Sequence, residues 1–392
     1  MGNRLNTRPG MKIGITCYPT YGGSGVLATE LGKALAKRGH EIHFIAYALP
    51  HRLNHVEEGL VFHEVSVNSY PLFEYPPYSL ALTSKLVDVV KYAGLELLHM
   101  HYAIPHATSA VQAREILATE GKHIPVVTTL HGTDITLVGQ DPSYAPVVTH
   151  SINRSDGVTA VSEYLKGETL HQFDIKVPIQ VIPNFVDTSR FRRLPKEHFK
   201  QALCPDGEKV VVHVSNFRKV KRACDVVRIF ARLLEEGLSL KLLLVGDGPD
   251  RLPAEHLARD LGVHGHCRFL GKQEPIEEIL SISDLMLMPS GSESFGLAAL
   301  EGMSCGVPVV SSDIGGLPEL NVDGLTGFLC PLDDLESFVD KSISLLRDEN
   351  LRLRMSKASR DRAVEEFDIG RIVPQYESYY EEVMDTTSLR VY

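Results

Sequence analysis

Short apolar, β-forming runs alternate with helix-like stretches through the first half of the chain, and the alternation then starts again. The first set is "KIGITCY", "EIHFIAY", "LVFHEVSV", "LELLHMHYA", "PVVTTLHG", "GVTAVS" and "IQVIPNF". The second is "EKVVVHVSN", "LKLLLVGDG", "HCRFLG", "DLMLMPS", "VPVVSSD" and "TGFLCP". Continuous apolar strands separated by helices call for parallel sheets covered on both faces. The stretch "GVLATELGKALAKRG" shows the helical period: Leu27, Leu31, Ala34 and Leu35 share one face, and Gly39 stands where a helix would close.

Between the sets lies "IPNFVDTSRFRRLPKEHF", polar and proline-containing, which reads as a linker. The expected architecture is α/β: two Rossmann-like, doubly wound parallel-sheet domains facing across a cleft. The expected boundaries are an extension over 1–10, a first domain over 11–185 and a second over 186–365. A C-terminal helical segment, 366–392, is expected to cross back to the first domain. The 392 residues suffice for two domains.

Composition narrows the function classes. The formal net charge of -10 argues against a nucleic-acid partner, which favours a basic face. No apolar run approaches the roughly 20 residues that span a bilayer, and the N-terminus has no secretory apolar core. Cys17, Cys204, Cys224, Cys267, Cys305 and Cys330 form no C-x-x-C pair and read as reduced, buried thiols. A cytoplasmic protein without a membrane partner is expected. His99, His101, His106 and His131 invite a metal reading, but their spacing fits no helix pair or Cys/His set, and no D-x-D pair ends a strand. No metal and no cofactor is therefore expected, and His43 and His99, inside strands, read as structural.

In open α/β sheets, ligands bind at the carboxyl ends of strands, so residues just after the apolar runs matter most. "GGSG", Gly22–Gly25, would let backbone approach a ligand and offer helix N–H groups to an anion. The alternative is a tight turn with close helix–sheet packing. "SNFRKVKR" puts Arg218 and Lys221 after the first strand of the second set, where fixed cations can hold a diphosphate. A solvated basic turn is the plain alternative. In "ESFGLAALE", Glu293 falls in a loop and Glu301 two turns into a helix, with Ser294, Phe295, Gly296 and Leu297 offering N–H groups at the helix start. Carboxylates there could each accept hydrogen bonds from sugar hydroxyls. "GDGPD", with Gly246, is a further strand-end glycine turn.

These elements and the "PNFVD" stretch (P-N-G-V-D in the family) resemble the retaining GT-B glycosyltransferases of family 4, from about Met11 to Tyr380. Longer stretches, including "HEVSVNSYPLFEYPPYSL" and "HMHYAIPHA", resemble a branch of that family acting on L-malate. The resemblance implies transfer of N-acetylglucosamine from UDP-N-acetylglucosamine to the 2-hydroxyl of L-malate, with retention and release of UDP, opening bacillithiol biosynthesis. It implies that Glu301 holds the ribose, and that Glu293 and the backbone of Ser294–Leu297 hold the sugar hydroxyls. Arg218 and Lys221 would hold the diphosphate; many relatives have their arginine as G-R-x-x-x-x-K, and here Asn216 stands in that arginine's place, so the role passes to Arg218. Leu270 to Lys272 would meet the uracil, and Gly246 belongs to the donor set. His131 would face the sugar's 6-hydroxyl. Gly23 and Ser24 would lie by the leaving phosphate, and Ser24, Tyr102, Thr133 and Asn153 would surround the malate. A homo-oligomer is expected by family analogy. Alternatives are another family 4 transferase with a different acceptor, a UDP-N-acetylglucosamine epimerase, or a nucleotide-sugar sensor.

Overall fold

The computed structural model describes residues 10–20, 22–53, 57–67 and 74–390. The expected extension over 1–10 lies, but for Gly10, outside the described residues. The chain divides into two compact units. Unit 1 is Met1–Pro183 with Ile372–Tyr392, and unit 2 is Asn184–Arg371. The breaks thus fall after 183 and 371, against sequence expectations of 185 and 365. The later break is displaced because Val186 pairs with the 367–369 backbone, keeping that segment in unit 2.

Unit 1 holds a seven-stranded parallel sheet. Its strands are β1 (Lys12–Thr16), β2 (Glu41–Ala46), β3 (Leu60–Glu64), β4 (Leu97–His101), β5 (Val126–Leu130), β6 (Gly157–Ala160) and β7 (Gln180–Val181). They are ordered β3-β2-β1-β4-β5-β6-β7. Unit 2 holds six parallel strands: β8 (Lys209–Val214), β9 (Leu240–Val245), β10 (Cys267–Gly271), β11 (Leu285–Met288), β12 (Val309–Ser312) and β13 (Gly327–Cys330). Their order is β10-β9-β8-β11-β12-β13. Each apolar run of the sequence became a strand. β4, β5 and β6 are buried along their whole length, as a sheet with two covered faces requires.

In both sheets the winding reverses beside the first strand, between β1 and β4 in unit 1 and between β8 and β11 in unit 2. That reversal splays the connecting loops apart at the carboxyl ends of the strands, which is where α/β sheets hold ligands.

The helix Gly23–Lys37 follows β1 and buries Leu27, Leu31 and Leu35, with Ala34 at the edge of the contact. Gly39 ends it at φ +99°. The helix Ile369–Arg390 returns the chain to unit 1. There Tyr379 Oη accepts from Val158 N at 2.8 Å, and Arg38 and His40 both bond Glu377. Burial pushes the Glu377 carboxyl up, but the His40 and Arg38 hydrogen bonds outweigh it and hold the group at about 2. All six cysteines are free thiols.

Candidate active site

In unit 1 the chain leaves β1 through Cys17–Thr20 and enters a helix at Gly23, with Gly22 as its N-cap. The glycines of "GGSG" differ in what they permit. A Cβ on Gly25 would stand 2.4 Å from Tyr18 O, so backbone and helix approach too closely for any side chain. A Cβ on Gly22 would meet nothing nearer than Thr20 Oγ1 at 3.6 Å. Gly23 is exposed at the start of the helix, where backbone N–H groups lack helical partners.

The loop after β4 meets this turn. Tyr102 Oη donates to Ser24 Oγ at 2.9 Å, which leaves the serine's own O–H to donate elsewhere. Tyr102 sits at φ +94°, a costly backbone for a tyrosine and a mark of an over-determined site. Burial, and then the neighbouring Asp134 charge, push its phenol up to about 12, so it stays a donor. Thr133, also hydrogen-bonded to the phenol, begins the turn after β5.

Asp134 is a member of this group that sequence reasoning passed over, although it lies two residues beyond the quoted "PVVTTLHG". Its carboxylate accepts from Ala103 N at 2.9 Å and Gly132 N at 3.1 Å, fastening the loops after β4 and β5 together. Burial raises it to about 6 despite those bonds.

His131 lies among the other strand-end histidines. Its Nε2 is 2.8 Å from His101 Nδ1, with the rings stacked. His106 Nδ1 donates to His101 O at 2.5 Å. His99, as a residue inside a strand should, bonds within the fold, to Thr129 Oγ1 and Tyr380 Oη. Burial drives His99 and His131 down to about 3, His106 to about 4 and His101 well below the ordinary value. These rings are neutral at pH 7. Among the described residues no cluster of three His, Cys, Asp or Glu side chains could hold a metal ion.

Asn153, expected beside the malate, has its amide engaged with another segment of unit 1. Its amide donates to Asp174 O at 2.8 Å and accepts from Lys176 N at 2.7 Å, so both polar atoms clamp the 174–176 backbone. An asparagine suits that clamp as well as it suits a ligand, and its sequence surroundings do not distinguish the two.

In unit 2 the "SNFRKVKR" loop follows β8. Ser215 Oγ accepts from Phe217 N at 3.2 Å, and the loop then passes through two non-glycine residues at positive φ, Phe217 (+45°) and Arg222 (+52°). Such strain recurs where a loop is held for function. Arg218 is exposed, while Lys221 is half-buried and ion-paired through Nζ to Glu293 Oε1. Arg222, next in sequence, is instead committed to Asp225 and Asp333. His213 Nδ1 donates to Leu287 O at 2.9 Å, so its Nε2 accepts from Ser215 Oγ.

Glu293 accepts from Ser290 Oγ at 3.3 Å as well as from Lys221, and Gly291 N donates to Val220 O at 2.6 Å, tying the loops after β8 and β11 together. Gly315 and Gly316 press against this loop. A Cβ on either would fall 2.0 Å from Glu293 O or 2.2 Å from Ser294 O. Phe295 is buried, edge-on to Phe367. Gly296, at φ +98°, caps the helix Leu297–Ser304. Glu301 lies inside that helix at only 8% exposure, an unusual place for a carboxylate.

Gly246 ends β9 at φ +119°, where a Cβ would sit 1.7 Å from Ser215 O. Its N–H donates to Gly271 O at 2.8 Å, so this glycine joins the ends of β8, β9 and β10 by close backbone contact. Leu270 is half-buried with its carbonyl accepting from Gln273 Nε2, and Lys272 is exposed. Arg218, Lys221, Glu293 and the start of the 297–304 helix thus gather on loops of unit 2, and Ser24, Tyr102, Thr133 and His131 gather on loops of unit 1.

Among the described residues no helix is long and apolar enough to cross a membrane. The family described as Glycosyltransferase Family 4 matches residues 21–190, and Glycosyl transferases group 1 matches residues 195–362. The N-acetyl-alpha-D-glucosaminyl L-malate synthase of Bacillus anthracis is 48% identical over 375 residues, covering 95% of this chain and 97% of its own length. Two solved structures share the fold. Anabaena Alr3699/HepE in complex with UDP and glucose superposes with TM-score 0.80 at 20% identity, covering 95% of this chain and 99% of its own. The sucrose-phosphate synthase of Thermosynechococcus elongatus gives 0.79 at 21% identity, over 96% and 100%. With matches running through both units and a relative of that identity along nearly its whole length, the chain belongs to the family 4 glycosyltransferases and is a glycosyltransferase of GT-B fold.

Proposed function

We propose that this enzyme transfers N-acetylglucosamine from UDP-N-acetylglucosamine to the 2-hydroxyl of L-malate with retention at the anomeric carbon, releasing UDP, as the opening step of bacillithiol biosynthesis. The observation that carries the substrates is the 48% identity, over almost the whole of both chains, to a relative named for that synthesis.

The residues supply a chemistry consistent with it. Arg218 and Lys221 neutralise the diphosphate as negative charge builds on the leaving oxygen. The ion pair of Lys221 with Glu293 supports this reading by limiting where the ammonium can sit. Glu293 and the N–H groups from Ser294 to Leu297 bind the sugar hydroxyls. Glu301 takes the ribose hydroxyls in two hydrogen bonds, the Leu270–Lys272 backbone meets the uracil, and Gly246 shapes the turn beside it. His131, neutral, hydrogen-bonds the sugar's 6-hydroxyl.

On the acceptor side Ser24, Tyr102 and Thr133 present hydroxyl donors to the malate, and Gly23 presents backbone N–H at a helix start, favourable to an anion. No carboxylate pair is assigned as nucleophile and acid. The malate hydroxyl attacks the face that the diphosphate leaves, and the departing phosphate oxygen takes its proton. Rate enhancement then comes from orientation and charge stabilisation.

The test is incubation of the protein with UDP-N-acetylglucosamine, with and without L-malate, following UDP release and product mass. A malate-dependent glycoside with α configuration by NMR is expected. Turnover that ignores malate would reveal an epimerase or hydrolase, and turnover only with another hydroxy acid or sugar would reassign the acceptor.

A further inference from the structure

The group of His99, His101, His106 and His131 contains one ring whose proton is fixed by chemistry alone. His106 Nδ1 faces a carbonyl, His101 O, at 2.5 Å, and a carbonyl can only accept. His106 therefore carries its proton on Nδ1, and its buried Nε2 is a bare lone pair with no hydrogen-bond partner among the described residues. The pocket tolerates an unpaired acceptor.

His101 poses the same question with two answers. Its Nδ1 is 2.8 Å from His131 Nε2, and its Nε2 is buried without a hydrogen-bond partner among the described residues. If Nδ1 accepted from His131, the single proton of the neutral ring would sit on Nε2, an orphaned buried N–H. If Nδ1 donates, the orphan is a lone pair, as in His106. Orphaned buried N–H groups are rarer and costlier than under-used acceptors, so the second arrangement holds. His131 then accepts at Nε2 and bears its proton on Nδ1.

We propose that His101 is a positioning residue: its Nδ1–H holds His131 in the Nδ1–H tautomer, so that His131 can only donate a hydrogen bond to the substrate. This rests on the reading of His131 as a substrate contact. The consequence is one of specificity. A fixed donor matches an oxygen with free lone pairs, such as a sugar hydroxyl or a leaving phosphate oxygen, and penalises a donor that presents only N–H at that place. His99, tilted at 35° with its ring centroid 4.3 Å from that of His101 and tied to Tyr380 and Thr129, keeps the His101 ring from turning.

Full-length enzyme labelled with 15N-histidine gives the direct test. The expected spectrum shows His131 with a protonated Nδ1 and a bare Nε2; a protonated Nε2 in the wild type overturns the proposal. His101→Asn keeps an N–H near the Nδ1 position, whereas His101→Leu does not. His101→Leu should lower kcat about tenfold or more with little change in the donor KM, and His101→Asn should recover most of the loss. Equal rates in the two variants would also overturn it. Should His101→Leu not fold, the wild-type spectrum alone decides. His131→Phe separates the two readings: full activity there removes His131 from the substrate while leaving the tautomer result intact.

Discussion

Tyr102 Oη donates to Ser24 Oγ across 78 residues of sequence, joining the loop after β4 to the start of the helix after β1 at the point where the sheet reverses its winding. Tyr102→Phe deletes that donor and leaves Ser24 free to rotate. The expected result is a stability loss of about 1 kcal/mol and a rise in malate KM, with kcat changed less. Thermal unfolding and steady-state kinetics measure both. An unchanged KM would take Tyr102 out of the acceptor group.

Glu293→Gln leaves Lys221 without its carboxylate while keeping the side chain's shape. UDP should still bind, because the proposed ribose and diphosphate residues, Glu301, Arg218 and Lys221, are untouched, and turnover should fall about a hundredfold or more. Calorimetry with UDP and a coupled assay for its release separate the two. Turnover near that of the unaltered enzyme would remove Glu293 from the reacting sugar.

The glycines of "GGSG" should respond differently. Gly23→Val places a bulky side chain at an exposed helix start and is expected to cost turnover far more than melting temperature. Gly25→Ala drives a methyl into Tyr18 O, and Gly246→Ala drives one into Ser215 O, so both should destabilise, by about 1–3 kcal/mol or more. If Gly23→Val lowers only the melting temperature, the loop's role is packing.

What the sequence made legible was the part built on continuous apolar runs. The strands buried along their whole length, β4, β5 and β6 among them, stood out most because a doubly covered strand has no polar face to blur it. The chemistry-bearing loops were legible because a doubly wound sheet leaves few places for glycine, cation and carboxylate to gather. What it hid were pairings made by register. His101 and His131 meet only because β4 and β5 run parallel with His101 beside Thr129, and nothing in either stretch announces the partner. Asp134 was overlooked because its partners are backbone N–H groups, which every sequence has. Phe217 and Arg222 carry positive φ without a glycine to mark it. Asn153 was ambiguous in the sequence because the same amide serves a ligand or a loop.

Asn153→Ala should accordingly lower the melting temperature by releasing the 174–176 backbone, at about 1 kcal/mol per lost hydrogen bond, with malate KM unchanged. A raised KM at constant stability would return Asn153 to the acceptor.

Acid should weaken the fold from a higher pH than carboxylates alone would set. His99 and His131 are held at about 3, and His106 and His213 at about 4, all by burial. Their unfolded forms take up protons near 6.5, so below that pH the unfolded chain binds more protons and stability falls, by up to about 1.4 kcal/mol per pH unit for each ring. Asp134, raised to about 6, works the other way between its folded value and the ordinary carboxylate value. It offsets about one ring there and none above pH 6. Melting temperature should be level from pH 8 to 7 and drop between 6.5 and 5. A level curve down to pH 5 would mean that the rings are charged in the native state.

Unit 1 is written in two pieces of sequence, with all of unit 2 between them. During synthesis the sheet β1–β7 leaves the ribosome well before Tyr379 and Tyr380, which reach Val158 and His99. Unit 2 can therefore complete itself first, as an uninterrupted segment, while the earlier half waits for the last helix to be translated. The histidine group beside β4 is consequently finished last, and a chain that stops short of Tyr380 would carry a whole second unit beside a first unit missing the tyrosine that steadies His99.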